Sequence, residues 1–164
     1  MSSANRKSED RDKSLREHLL YLLRDGGAHI DFQSVVSDFP LDKINDKAPH
    51  VPYTAWQVLE HMRIAQWDIL EFSRNAKHVS PRWPEGYWPD ENKNATPDDW
   101  HGSIENFTND LKKMEALIED PNTDLFQSIP HGDGQTILRE AMLVADHNAY
   151  HLGVLVVLKR LLKG

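Results

Sequence analysis

Asp146-His147-Asn148-Ala149-Tyr150-His151-Leu152-Gly153 is the stretch on which the reading of this chain turns. Its two histidines stand four residues apart, in register with the apolar Val144 and Val154. The pattern predicts a helix from about Gln135 or Thr136 almost to Gly164. Residues at i and i+4 share a helix face, near enough for two imidazoles to grip one ion. Nine histidines in 164 residues predict about half of one accidental pair at this spacing, so the pair needs support from elsewhere. His61 supplies it, because it sits in the middle of the apolar face of another helix. Metal sites in helical bundles draw ligands from facing helices in this way.

Working back towards the N-terminus, the same period recurs. Thr96-Pro97-Asp98-Asp99 reads as a helix start, with a cap, a proline at the first position and acids in the first turn. Ile104, Phe107, Leu111, Met114, Leu117 and Ile118 form the stripe behind it, and Pro121 closes it. Thr54-Ala55-Trp56-Gln57 is a capping box, with Tyr53 and Val58 placed for a hydrophobic staple. That helix is expected to run to about Ala76, with Val58, His61, Ile64, Ala65, Asp68 and Phe72 facing inward. Phe32, Val35, Val36 and Phe39 predict a short helix ended by Pro40. Ser14-Leu15-Arg16-Glu17 has the form of a further capping box, followed by Leu15, Leu19, Leu22 and Leu23 and stopped by Gly26-Gly27. Residues 1–13 are polar and read as a disordered N-terminal arm. No segment shows β alternation. Three long amphipathic helices and a shorter first one predict an all-α, four-helix bundle spanning residues 14–164. The long connection from Lys77 to Ala95 has room to cross over.

Composition narrows the function. Apolar residues make up 39% and charged residues 27%, ordinary for one globular domain. A net charge of −7 disfavours nucleic acid and anionic lipid, which both need a basic surface. Residues 1–13 lack the apolar core of a signal peptide, and the run Leu152 to Leu158 is too short to span a bilayer. With no cysteine in the chain, a cytoplasmic location is expected. Thiolate ligands and a cysteine nucleophile are excluded, so any thiol must arrive with a substrate.

Three imidazoles suit zinc, nickel, copper or iron. Three protein ligands leave a fourth position for water or substrate, the pattern of catalytic zinc sites. The plainer alternative is three buried histidines, each bonded to a backbone carbonyl. The metalloprotease motif is absent, since Asn148 stands where that motif needs its glutamate base. Asp68 and Glu140 each lie seven residues from a histidine on the same face. Either carboxylate is a candidate to orient an imidazole or carry a proton, or to pair with Arg63 or Arg139. Tyr150 is a candidate ligand-binding group or a core residue. Gly153, in a helix interior, points to close packing. Trp83, Tyr87, Trp88 and Trp100 crowd the long connection, either walling a pocket or plugging one end of the bundle.

The residues His147-Asn148-Ala149-Tyr150-His151-Leu152-Gly153 resemble the signature of the DinB-like superfamily of four-helix metal-binding bundles. Trp56-Gln57-Val58-Leu59-Glu60-His61 with Asp68-Ile69-Leu70-Glu71-Phe72 resembles that family's second helix. Gly86-Tyr87-Trp88-Pro89 and Ile129-Pro130-His131-Gly132-Asp133-Gly134-Gln135-Thr136 extend the likeness. Val154 departs from it, standing where relatives often carry glutamine. The resemblance implies a bundle with long crossover connections, a homodimer, and a divalent metal, zinc or nickel, on His61, His147 and His151. It further implies a metal-dependent thiol S-transferase, or a related isomerase, with a low-molecular-weight thiol as co-substrate and a role in stress response or detoxification. A metal-dependent hydrolase and a non-enzymatic metal-binding module are the alternatives.

Overall fold

The structure, a computed structural model, describes residues 3–25 and 27–163. It is all-helical. The long helices are α1 (Ser3–Asp25), α3 (Ala55–Arg74), α4 (Pro97–Glu119) and α5 (Ile137–Lys163), with a short α2 (Phe32–Val36). Single 3-10 turns occupy Leu41–Lys43 and Glu85–Tyr87. Among the described residues the only β pairing outside helices is an isolated bridge between Ser128 and Thr136.

Local chemistry explains where the helices begin. Thr54 and Thr96 both form complete capping boxes, with Gln57 and Asp99 as the reciprocal partners. Each box satisfies backbone N–H groups that a helix start leaves without partners. Asp31 caps α2 by accepting from the Ser34 backbone N–H. Tyr53 lies outside the fold's core, stacked on Trp88. Where a disordered arm is expected over residues 1–13, helix α1 starts at Ser3 and spans 23 residues, the same length as α4. Residues 1 and 2 of that arm lie outside the described residues, as does Gly26 of the expected stop; Gly27 takes a left-handed φ of 73°. The Ser14–Glu17 motif therefore falls inside a running helix. Asp12 pairs with Arg16 one turn on, and the Arg16 guanidinium donates to the carbonyls of Ile118, Asp120 and Thr123. Those carbonyls belong to the end of α4 and the loop after it, where C=O groups lack intrahelical partners.

The core falls into two apolar clusters. One joins Val58, Leu59 and Met62 of α3 to Leu152, Leu155 and Leu158 of α5, with Trp100 and Phe107 from α4. The other joins Ile69 and Leu70 of α3 to Ile137, Ala141 and Val144 of α5, with Leu19 and Leu23 from α1. The start of α3 thus meets the end of α5, so the two helices run antiparallel. Burying each large apolar side chain is worth about 1.5–3 kcal/mol. Between the clusters lies a polar layer: His61, Gln66 and Asp68 on α3, and His147, Asn148 and His151 on α5. Polar groups at such depth are costly unless something binds them.

Helix α5 is also the one described helix long and apolar enough, by length and composition, to cross a membrane. An 18-residue window of it has a mean hydropathy of 1.3 with 28% of the window buried. Counting the run Leu152 to Leu158 alone misses this, because the apolar composition extends along most of the helix.

Candidate metal centre

His61 lies in the second turn of α3 and is buried. Its Nδ1 is 2.8 Å from the backbone carbonyl of Tyr87. A carbonyl only accepts, so Nδ1 carries the ring proton and Nε2 presents a bare lone pair. That Nε2 lies 3.2 Å from Nε2 of His147 and 3.2 Å from Nε2 of His151. Candidate ligand atoms of the three rings all lie within 4.8 Å of one another. One lone pair serves one hydrogen bond well, not two. A shared cation serves all three nitrogens. With zinc–nitrogen bonds of about 2.0–2.1 Å, tetrahedral ligand atoms sit about 3.3–3.4 Å apart. The observed separations match that spacing, so the residues fit a first-row ion.

Electrostatics favours the ligand-competent form. Burial, then the neighbouring His61, holds His147 down at about 4. Burial, then His147 and His61, holds His151 at about 4 as well. His61 is lowered by burial, against the pull of the Tyr87 carbonyl. Imidazoles that stay neutral keep their lone pairs for a metal, which must otherwise displace protons.

The long connection between α3 and α4 supplies the wall. Trp88 stacks on His61 with ring centroids 4.0 Å apart and planes 2° from parallel. Tyr53 stacks on Trp88 in turn, at 4.1 Å. Asp68 accepts from His78 Nε2 at 2.7 Å and from the Tyr87 hydroxyl at 2.5 Å. Burial first, and Asp68 second, pushes the Tyr87 phenol up to about 12. Tyr87 is thereby held at both ends: its hydroxyl on Asp68, its carbonyl on His61. Gly86 permits this turn, because a Cβ there would lie 2.8 Å from Cβ of Pro81.

The structure brings His61, His147 and His151 together. Asp68 reaches them only through Tyr87. Glu140 is buried and ion-paired with Arg139, the pairing that was the alternative to a role beside the imidazoles. Tyr150 is 70% exposed, its ring edge-on to His151 at 4.8 Å, so it is not core. The four aromatics of the connection divide. Trp88 and Tyr87 wall the site, Trp100 is fully buried beside Phe39, and Trp83 is exposed. Gly153 is exposed, and a Cβ added there would meet nothing within 4 Å, so close packing does not account for it. Sequence reasoning misses His78 and the Tyr87 carbonyl. The pairing of Asp68 with a loop histidine has no fixed spacing, and a backbone carbonyl leaves no mark in the residue pattern.

A separate cavity of about 440 Å³ lies on another side of α5, with Phe32, Met62, Phe107, Leu111 and Leu152 among its walls and none of the three histidines. Comparison with known family models, curated proteins and solved structures finds no match to this chain.

Proposed function

We propose that His61, His147 and His151 bind one divalent ion, zinc or nickel, in a metal-dependent thiol S-transferase or a related enzyme of stress response or detoxification. The fold proposed for it is a DinB-like four-helix bundle with long crossover connections. The observation that carries this reading is the meeting of three imidazoles from two helices, with His61 Nε2 at 3.2 Å from both partners. Among the described residues they form the only such group of potential ligands, which leaves room in the coordination sphere for a small molecule.

A divalent ion held there would supply positive charge that lowers the pKa of a coordinated thiol. The chain's own residues do the rest. Tyr87 fixes the His61 ring, and Trp88 covers its face against water. Asp68, which accepts from the Tyr87 hydroxyl and so holds the turn whose carbonyl meets His61, is proposed to orient that imidazole from behind. Glu140, occupied by Arg139, is assigned a structural part. The chain has no cysteine, so a low-molecular-weight thiol would enter as co-substrate, lose its proton, and attack the carbon of an epoxide or halide as its C–O or C–halogen bond breaks.

The same reading makes the protein a cytoplasmic homodimer that binds neither nucleic acid nor membrane. Met142, Tyr150, Val157 and Leu161 form an exposed apolar stripe on α5, and a second copy of the chain is proposed to cover it. The net charge of −7 supports the exclusion of nucleic acid.

Elemental analysis of protein purified without a nickel column tests the site, beside a His151→Ala variant. One metal ion per chain, lost in the variant, is expected, followed by turnover of an electrophile that needs both metal and thiol. No metal after reconstitution with zinc, nickel and copper would sink the proposal. Activity without thiol would make the protein a hydrolase. Stability that tracks metal without any turnover would make it a metal-binding module.

A further inference from the structure

Helices α4 and α5 each pack on α3 but touch each other little. Between them lies the cavity of about 440 Å³, which residues of α1 and α2 also line. Small-molecule sites commonly span about 300–1,000 Å³, with apolar walls and a few polar groups that set orientation. The walls here are of that kind. Met62, Phe107 and Leu152 are buried in them. Phe32 stacks on Phe107 with ring centroids 4.1 Å apart. Aromatic faces attract cations through their quadrupole.

The charged groups of the lining point to the same sign of ligand. Arg24 is its only lysine or arginine, and the Arg24 guanidinium donates to Glu115 and Glu119, which do not line the cavity. His29 Nδ1 faces the Ile30 carbonyl at 3.0 Å. The carboxylates of Asp31 and Asp146 remain. The Ser34 hydroxyl, then its backbone N–H, hold the Asp31 carboxyl below the usual carboxylate range, so it is ionised at neutral pH. Asp146 is exposed and, among the described residues, has no hydrogen-bond or ion-pair partner. The chain's net charge of −7 adds to the same field.

We propose that this cavity binds a hydrophobic organic cation. An aromatic or branched hydrocarbon body lies against Phe107, Met62 and Leu152, and its ammonium group meets Asp146 and Asp31. An apolar anion of the same shape meets charge of its own sign, and a neutral molecule leaves the carboxylates unanswered. None of the three metal-site histidines lines the cavity, so the inference goes beyond the metal reading and does not depend on it.

Calorimetric titration with 1-naphthylmethylamine, 1-naphthylmethanol and 1-naphthoate at pH 7 isolates the charge on nearly constant shape. The amine should bind about tenfold more tightly than the alcohol, and the carboxylate most weakly. Asp146→Asn should weaken the amine by about threefold and leave the alcohol unchanged. Ala149→Trp, at an exposed position of the lining, should block the amine while circular dichroism reports intact helices. His151→Ala should bind the amine as the wild-type protein does, which separates the cavity from the metal centre. The inference is overturned if the alcohol or the carboxylate binds as tightly as the amine, or if none of the three binds. It is equally overturned if amine binding survives Ala149→Trp or is lost in His151→Ala. Amine affinity that falls as protein concentration rises would give the cavity to a second copy of the chain instead.

Discussion

His61 and His151 aim the same atom at the same point, 3.2 Å apart, yet they are held in different ways. His61 is braced from a distance in sequence. A carbonyl 26 positions on takes its proton, and Trp88 covers its ring. His151 is placed almost entirely by its own helix, with His147 one turn before it and an exposed tyrosine against its edge. The α3 histidine is preorganised by tertiary structure, the α5 pair by helical geometry. Metal ligands commonly need a partner behind the ring to fix tautomer and orientation, and here that bracing differs between the two helices.

Acid should expose the α5 side most strongly. His147 and His151 are held at about 4 in the folded protein, against about 6.5 for an unperturbed histidine. Between those values the unfolded chain binds more protons than the folded one, so metal-free stability falls as pH drops through that window. It is fully present above about 6.5 and levels off, for these two groups, below about 4. Urea unfolding of the metal-free protein at pH 7.5 and pH 5 should show the loss. A His147→Leu/His151→Leu double variant should flatten that limb. An unchanged midpoint in the wild-type protein would mean that the pair titrates as exposed histidines do.

On the α3 side the weak point is Gly86. A methyl group there would meet Pro81 Cβ at 2.8 Å and the Pro81 carbonyl carbon at 3.3 Å. The neighbour is a rigid ring and backbone, so the turn itself must move, and with it the Tyr87 carbonyl. Gly86→Ala is expected to weaken zinc binding by about 10–100-fold while α3 stays folded. A competition titration with a chromogenic chelator reads the affinity, and circular dichroism the helix content. Affinity unchanged in the variant would show that the loop does not brace His61, and the contrast between the two helices would collapse.

The same contrast explains what the sequence discloses. The α5 pair is legible because i, i+4 spacing is a property of one helix. His61 is legible because it interrupts an apolar stripe. The capping boxes at Thr54 and Thr96 mark helix starts directly. The start of α1 is not legible in this way. Its first turns are polar and lack an apolar stripe, and the carbonyls that Arg16 binds lie more than 100 positions away. The bracing of His61 is hidden for a related reason. It depends on where a loop of mixed aromatic and proline residues places one carbonyl, and on Asp68 finding His78 and Tyr87 across that loop. Glu140 shows the opposite failure. Its register with His147 is real, but a neighbour, Arg139, occupies it.

The smallest effect concerns the outer face of α5. Gly153 sits in the helix with nothing near its missing Cβ, so it costs helix stability without a packing gain inside the monomer. Gly153→Ala should stabilise the protein by roughly 0.5–1 kcal/mol, the ordinary difference between the two residues in a helix. That expectation holds if the stripe of Met142, Tyr150, Val157 and Leu161 meets solvent. If a second copy packs on the stripe with its backbone close to Gly153, the added methyl groups collide across the interface, and alanine should loosen the dimer. Denaturation midpoints measured over a range of protein concentrations separate the cases. A concentration-independent gain leaves Gly153 a relic of helix composition. A loss that grows on dilution makes the far face of α5 an interface, so that one helix would serve a metal on one side and a partner on the other.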